Sequence, residues 1–369
     1  VDQLIADLGL APLVNAAGKM TYLGGSACAP PVAAALADGS RLWADMDELM
    51  TVADREIAAA TGAEAGFVTA CAAAGIAIAT AACLTGGDID LVERVPHLPA
   101  ELPSEVLLQK PHAIHFGAQL TQMLRLGGGQ VVEVGAANRC TLGELASAAD
   151  RRRVGAVGYV VSHHVPASQA CGLGEVVELA HAHGVPVIVD AAAETDLRRY
   201  LAAGADLVVY SGHKAVGGPT SGLVCGRREL VDACRAQNAG IGRTMKVGKE
   251  SILGALVALR RYAAADPDAE PRRLAELATL LAEELAGLPG VTARVVADPT
   301  RPIRRTRVDV DPRAAGMDAA ELVARLAAHT PSIRCRAHHA AEGRFELDPR
   351  GLTREHPRVI ADAVRAALR

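Results

Sequence analysis

The run Ser211-Gly212-His213-Lys214-Ala215-Val216-Gly217-Gly218-Pro219 holds the densest set of groups able to do covalent chemistry. A hydroxyl, an imidazole and an amine stand together ahead of a glycine-rich turn. An amine sheltered from water, or set beside another cation, loses its proton more readily and attacks carbonyls. Taken alone, such a lysine reads equally as a solvated residue at a helix start. Asp190 lies 24 residues upstream, at the close of the apolar run Pro186-Val187-Ile188-Val189. Burying a carboxylate there is costly unless it meets a positive partner.

A third piece is Thr69-Ala70-Cys71-Ala72-Ala73-Ala74-Gly75, where a strand turns into an Ala-rich helix. Small residues at a helix N-terminus let a phosphate approach exposed N–H groups. Tight strand–helix packing explains the same residues. Together the pieces suggest pyridoxal phosphate: an amine for its aldehyde, a carboxylate for its pyridine nitrogen and a cradle for its phosphate. Asp190 as a metal ligand or helix cap is the alternative use. Arg243, Lys246 and Lys249 crowd a second glycine-rich segment and suit a substrate carboxylate or phosphate, or else a solvated helix start. His163 and His164 follow an apolar run, and His163 is a candidate substrate contact. No third ligand stands at a fitting spacing, so no metal site is expected.

Positioning these residues falls to a chain that alternates apolar runs with amphipathic stretches. Strands are expected at 65–70, 130–135, 156–162, 186–191, 205–211 and 221–226, with a helix over 173–183 closed by Gly184. Most of these runs are continuous Val/Ile/Leu, as in strands covered on both faces, and the βαβα rhythm predicts a mostly parallel α/β sheet. Beyond Lys249 the pattern becomes a long helix, a linker over 265–271, and then mixed helices and strands. The expected organisation is an irregular N-terminal arm (1–50), a large α/β domain (51–264) and a small α+β domain (265–369). Arg304-Arg305 and Arg151–Arg153 read as solvated charge.

Half of the 369 residues are apolar and the net charge is −4, which gives no electrostatic footprint for nucleic acid or a membrane surface. No apolar run has the length of a membrane span, and the N-terminus lacks a signal peptide's basic start. Eight scattered cysteines without a C-x-x-C pair read as reduced thiols filling core volume. A cytoplasmic protein is expected. A nicotinamide dehydrogenase is disfavoured, because no G-x-G-x-x-G turn follows an early strand.

With these residues in order, the chain resembles the fold-type-I pyridoxal-phosphate enzymes. Ser211-Gly212-His213-Lys214 is similar to the Ser-x-His-Lys motif of class V aminotransferases and cysteine desulfurases. A closer resemblance is to the branch containing bacterial selenocysteine synthase and glucosaminate-phosphate ammonia-lyase. It rests on Leu13–Gly18, Asp45–Leu49, Thr61–Ala65, Val189–Glu194 and Ile241–Glu250, and covers nearly the whole chain. The resemblance implies that Lys214 carries the cofactor as a Schiff base and that Asp190 partners its ring nitrogen. It implies that the Ala72 and Ala73 backbone, Ser211 and His213 hold the phosphate, and that His112 stacks on the ring, with His115 as competitor. Asn15 becomes a substrate contact, and a homodimer or larger symmetric assembly is implied.

Some positions depart from the family. Ala193 stands where desulfurases carry a Gln, and their catalytic Cys loop has no counterpart, so desulfuration is disfavoured. Cys71 replaces a usual Gly in the phosphate turn, which narrows the approach or demands a favourable backbone angle. His213 replaces a Gly common in the ammonia-lyase branch. The chain starts almost at Asn15-Ala16-Ala17-Gly18 and is acidic, so a small amino acid or amino sugar acid is expected as substrate rather than tRNA. The expected reaction is α,β-elimination to a 2-oxo acid and ammonia. Racemisation or epimerisation, transamination and β-replacement pass through the same carbanion and stay open, as does a non-catalytic binding protein of the same fold.

Overall fold

Apolar runs that no loop could bury become the strands of this protein. The computed structural model describes residues 2–162, 165, 170–298, 301 and 303–369. In chain order the strands are β1 (Leu13–Ala16), β2 (Ala65–Thr69), β3 (Glu105–Gln109), β4 (Gln130–Val134), β5 (Val154–Val160) and β6 (Val187–Asp190). They continue with β7 (Leu207–Ser211), β8 (Gly222–Gly226), β9 (Val291–Ala297), β10 (Arg304–Val310), β11 (Ser332–Cys335) and β12 (Arg344–Leu347). Two compact units result, Cys28–Ala264 and a smaller one made of Val1–Ala27 with Ala265–Arg369.

The larger unit is an α/β structure built on one seven-stranded sheet in the order β2-β8-β7-β6-β5-β3-β4. Strands β3 to β7 run parallel, while β8 is antiparallel to both β7 and β2. The carboxyl ends of β2, β3, β5, β6 and β7 therefore share one edge with the start of β8. Thr69, Gly222 and Ser211 form one cross-strand row there, and Val160, Asp190 and Val209 form the next. Ligands of open α/β sheets gather at this edge. Every residue of β2, β7 and β8 is buried, which accounts for their continuous apolar sequence.

The helix Ala72–Thr85 starts directly after β2 and is buried along most of its length, so its Ala-rich, all-round apolar composition suits a filler between layers. Residues 30–41, expected to be irregular, fold as a helix with Pro30 and Pro31 in its first turn, where a missing N–H costs nothing. Strand β3 is not among the expected strands, because Glu105-Val106-Leu107-Leu108-Gln109 confines its apolar run to three residues between polar ends. Among the described residues no helix is long and apolar enough to cross a membrane. All eight cysteines are free thiols.

In the smaller unit, β9, β10 and β12 form an antiparallel sheet, and β1 pairs in parallel with β11. Val14, Leu281, Val308, Ile333, Phe345 and Ile360 lie in its core. Arg305 corrects the solvated reading: it is 5% exposed and pairs with Asp298 at 2.6 Å and Asp348 at 2.9 Å. Three nearby carboxylates, Glu346 being the third, make a buried guanidinium tolerable.

Candidate active site

Asp190 ends β6, with its backbone paired to Val160 on one side and Val209 on the other. Its Oδ1 accepts the Ala192 N–H at 3.0 Å. Burial pushes the carboxyl above its ordinary range, and the Ala192 amide and the Lys214 charge pull it back only in part. Thus the amine and the carboxylate singled out in the sequence feel one another across adjacent strand ends. Lys214 is half-buried on the single turn Gly212–Ala215 that follows β7.

Ser211 closes β7 and is 2% exposed, and its Oγ has no hydrogen-bond partner among the described residues. A buried hydroxyl left unmatched is costly and rare in native proteins, so this one suits a ligand oxygen. Beside it, the turn from β2 into the helix Ala72–Thr85 is set by short polar contacts. Thr69 Oγ1 donates to the Cys71 carbonyl at 2.9 Å, and Cys71 Sγ accepts the Ala74 N–H at 3.4 Å as the helix cap. The Cys71 backbone is extended (φ −165°), so the replacement of Gly carries no strain. Gly222 lets this turn press on β8. A Cβ there would overlap Thr69 Oγ1 and lie 2.5 Å from the Cys71 carbonyl. The amides of Ala72 and Ala73 open the helix, and His213 is buried beside Lys214.

His112 sits on a three-residue turn, Lys110–His112, after β3, with Pro111 in the first positions of that turn. It is 1% exposed, and its Nδ1 accepts the Val160 N–H at 3.1 Å. Burial lowers its pKa to about 4, so the ring is neutral and carries its proton on Nε2. Tyr159 holds it edge to face, with centroids 4.6 Å apart and planes at 87°. Neither Tyr159 nor Gln109 was singled out in the sequence. Gln109 clamps Cys171 by accepting its N–H at 2.7 Å and donating to its carbonyl at 3.2 Å. An amide at the end of an apolar strand is the signal that could have found it. His115 is exposed, with Nδ1 accepting the Gly117 N–H at 3.3 Å.

The other expected substrate contacts are Arg243, Lys246, His163 and Asn15. Arg243 lies exposed on the turn Ile241–Met245 and Lys246 follows it, also exposed, while Lys249 pairs with Glu250 at 3.6 Å. His163 and His164 lie outside the described residues. Asn15 belongs to the smaller unit. Its amide is spent on a local turn, accepting from Ala17 and Gly18 and donating to the Gly18 carbonyl at 2.9 Å. What the larger unit does assemble is a sheltered acid, an amine, an unmatched hydroxyl, a helix start and a neutral imidazole. That set fits a ligand with anionic oxygens at one end and a cationic ring atom at the other.

The family model for L-seryl-tRNA selenium transferase (SelA) matches residues 114–300. A 5'-C-glycyluridine monooxygenase-decarboxylase of a Streptomyces species is 46% identical over 349 residues, 94% of this chain and 87% of that protein. The D-glucosaminate-6-phosphate ammonia lyase of Salmonella typhimurium is 39% identical over 344 residues, 93% and 92% of the two chains. A solved structure of a D-glucosaminate-6-phosphate ammonia-lyase superposes with a TM-score of 0.92 at 37% identity, covering 99% of this chain and 98% of that one. A structure of SPT with its PLP internal aldimine shares the fold, with a TM-score of 0.59 at 18% identity over 97% and 87% of the chains.

Proposed function

This chain belongs to the SelA family and is a pyridoxal-phosphate enzyme, and from that premise we propose that it removes ammonia from a β-hydroxy-α-amino acid by α,β-elimination. The chemistry of the relatives' substrates, as their names give it, supports that class. Glucosaminate carries a hydroxyl on the carbon next to its amino-bearing carbon, and so do a seryl group and a glycyl unit on C5' of uridine. The common element is an amine, an acyl carbon and a β-oxygen on a larger polar body.

Pyridoxal phosphate, when bound, supplies a protonated pyridine ring that accepts the electron pair left at Cα when its proton departs. Lys214 would hold the cofactor through its Nζ and, released by the substrate amine, take the Cα proton on that same atom. The Asp190 carboxylate would face the ring nitrogen and keep it protonated. The Ser211 hydroxyl, His213 and the Ala72 and Ala73 amides would take the phosphate oxygens. His112 would lie against the ring, held in one tautomer by the Val160 amide. Loss of the β-hydroxyl as water, followed by uptake of one water, balances the reaction to a 2-oxo acid and ammonium. The observation that carries this reading is the placement of Asp190 and Lys214 at the ends of adjacent strands, on the same sheet edge as the unmatched Ser211 hydroxyl.

A second reading has a specific support: the 46% identical relative is a monooxygenase-decarboxylase. The same Cα electron pair would then be spent on dioxygen, with loss of the carboxyl group. An oxygen electrode run beside an ammonia assay, on a panel of β-hydroxy-α-amino acids, separates the two. Ammonia and 2-oxo acid in equal amounts without oxygen uptake supports elimination, and oxygen uptake with carbon dioxide release overturns it. We further infer a homodimer or larger symmetric assembly in the cytoplasm, acting on a small molecule rather than on tRNA; light scattering of the purified protein tests the assembly.

A further inference from the structure

We propose that Tyr210 and Tyr262 are positioning residues, which aim the Asp190 carboxylate by strapping down the segment that follows it. This role rests on the reading of Asp190 as the partner of the cofactor's ring nitrogen. The segment runs from Ala191 to Leu197, between β6 and the short helix Arg199–Ala202, and has no regular structure of its own. Its near end sets the carboxylate. Ala191 donates its N–H to the Val209 carbonyl at 2.9 Å, and the next amide, Ala192, donates to Asp190 Oδ1 at 3.0 Å. The path of this backbone therefore decides where one carboxylate oxygen points.

Three of the chain's five tyrosines converge on the middle of the segment. Tyr210, on β7, donates its hydroxyl to the Asp196 carbonyl at 3.2 Å. Tyr262, on the helix Lys249–Ala264, donates to the Thr195 carbonyl at 2.5 Å. Tyr200 reaches the Glu194 carboxylate at 3.3 Å, and its ring lies 6.4 Å from that of Tyr210. Three hydroxyls from three separate elements thus meet residues 194, 195 and 196 in turn. The far end is fixed by Arg198, whose Nε and Nη2 donate to the Ala60 and Ala59 carbonyls at 3.1 and 2.9 Å.

The side chains of Thr195 and Asp196 are exposed, so apolar burial does not hold this stretch in place. Tyr210 is fully buried and Tyr262 half-buried. Phenylalanine would fill the same volume without a polar atom to satisfy, and a buried hydroxyl is costly unless bonded. Both hydroxyls are spent on main-chain carbonyls of the one segment that carries the Asp190 contact. Burial raises both phenols above their ordinary range, which keeps them protonated and donating.

A double-mutant cycle read by spectrophotometric titration with pyridoxal phosphate tests this role. In the wild-type background Tyr210→Phe and Tyr262→Phe should each weaken cofactor binding about threefold to tenfold, the net worth of one hydrogen bond. In Asp190→Asn the charge to be aimed is gone, and the same changes should cost less than about twofold. The pH midpoint of the holoenzyme's visible absorbance is the second readout. A ring nitrogen that holds its proton less firmly repels a proton on the lysine linkage less, so the midpoint should rise by about 0.5 pH unit in both Phe variants. A phenol that only packs the core leaves it in place. Tyr262→Phe, at a half-buried site, carries the test if Tyr210→Phe fails to fold. Equal losses in both backgrounds, or an unmoved midpoint, overturn the proposal. Wild-type cofactor binding and midpoint in Asp190→Asn overturn instead the reading of Asp190 on which it rests.

Discussion

Replacing Asp190 by Asn separates the two things this carboxylate does. With the cofactor bound as proposed, its charge would face a cation in a sheltered place. Removing one partner of such a buried pair costs about 3–5 kcal/mol. Asp190 is half-buried at its surface, so the lower end applies, and about 3 kcal/mol off transition-state stabilisation is roughly a 150-fold fall in kcat/KM. In the cofactor-free protein the sign reverses. Burial raises the Asp190 carboxyl above its ordinary 3.8. A raised acid contributes stability below its unfolded pKa that is lost as pH rises through the folded one. The Asn variant escapes that loss. Stripped of cofactor, it should melt at a higher temperature than wild type at pH 7–8, with the gap closing toward pH 4. Ammonia release and differential scanning calorimetry read the two effects on the same preparations. An Asn variant with wild-type activity, or one less stable than wild type without cofactor, would refute the assigned partnership.

Other expectations follow from the same geometry. Lys214→Ala should lower ammonia release by about 10²–10⁴, the usual worth of a positioned base, and borohydride should no longer fix the cofactor's mass to the chain. Gly222→Ala should push the Thr69–Cys71 turn aside at a cost of about 1–3 kcal/mol, weakening cofactor binding about tenfold in a spectrophotometric titration. For His112, the neutral form is favoured on folding, so its contribution is full above 6.5 and lost as pH falls toward about 4. That fall is worth roughly 3 kcal/mol, and His112→Gln should flatten the urea-denaturation stability profile over this window. The pH–rate profile should show no inflection near 6.5 that disappears in His112→Gln.

Much of the candidate site was legible because the residues proposed to do chemistry also end apolar runs. Asp190 closes Val187-Ile188-Val189, and Lys214 follows Val208-Val209-Tyr210. A buried strand leaves few places for a polar side chain except its ends, so both the sheet and its active edge could be read together. Tyr159 and Gln109 were hidden for the opposite reason. One is an aromatic inside a strand that looks like core, and the other ends a strand whose apolar run is only Val106-Leu107-Leu108 between polar ends. The ion-pair network around Arg305 was also invisible. Its carboxylates come from two segments that no local pattern links, Asp298 just after β9 and Glu346 with Asp348 at the end of β12. Residues 13–16 carry no hint that their partner strand begins at Ser332.

That last pairing governs the order in which the molecule can be built. As the chain leaves the ribosome, everything needed for the seven-stranded sheet is out by Gly226, while Leu13–Ala16 still lacks its neighbour. At about 5–20 residues per second, the segment waits on the order of 15–60 s for Ser332–Cys335. Throughout that interval Val14 and Ala16, destined for a dry interior, face solvent or a chaperone. A newborn polypeptide truncated shortly before position 332 should therefore hold a finished larger half and a frayed beginning.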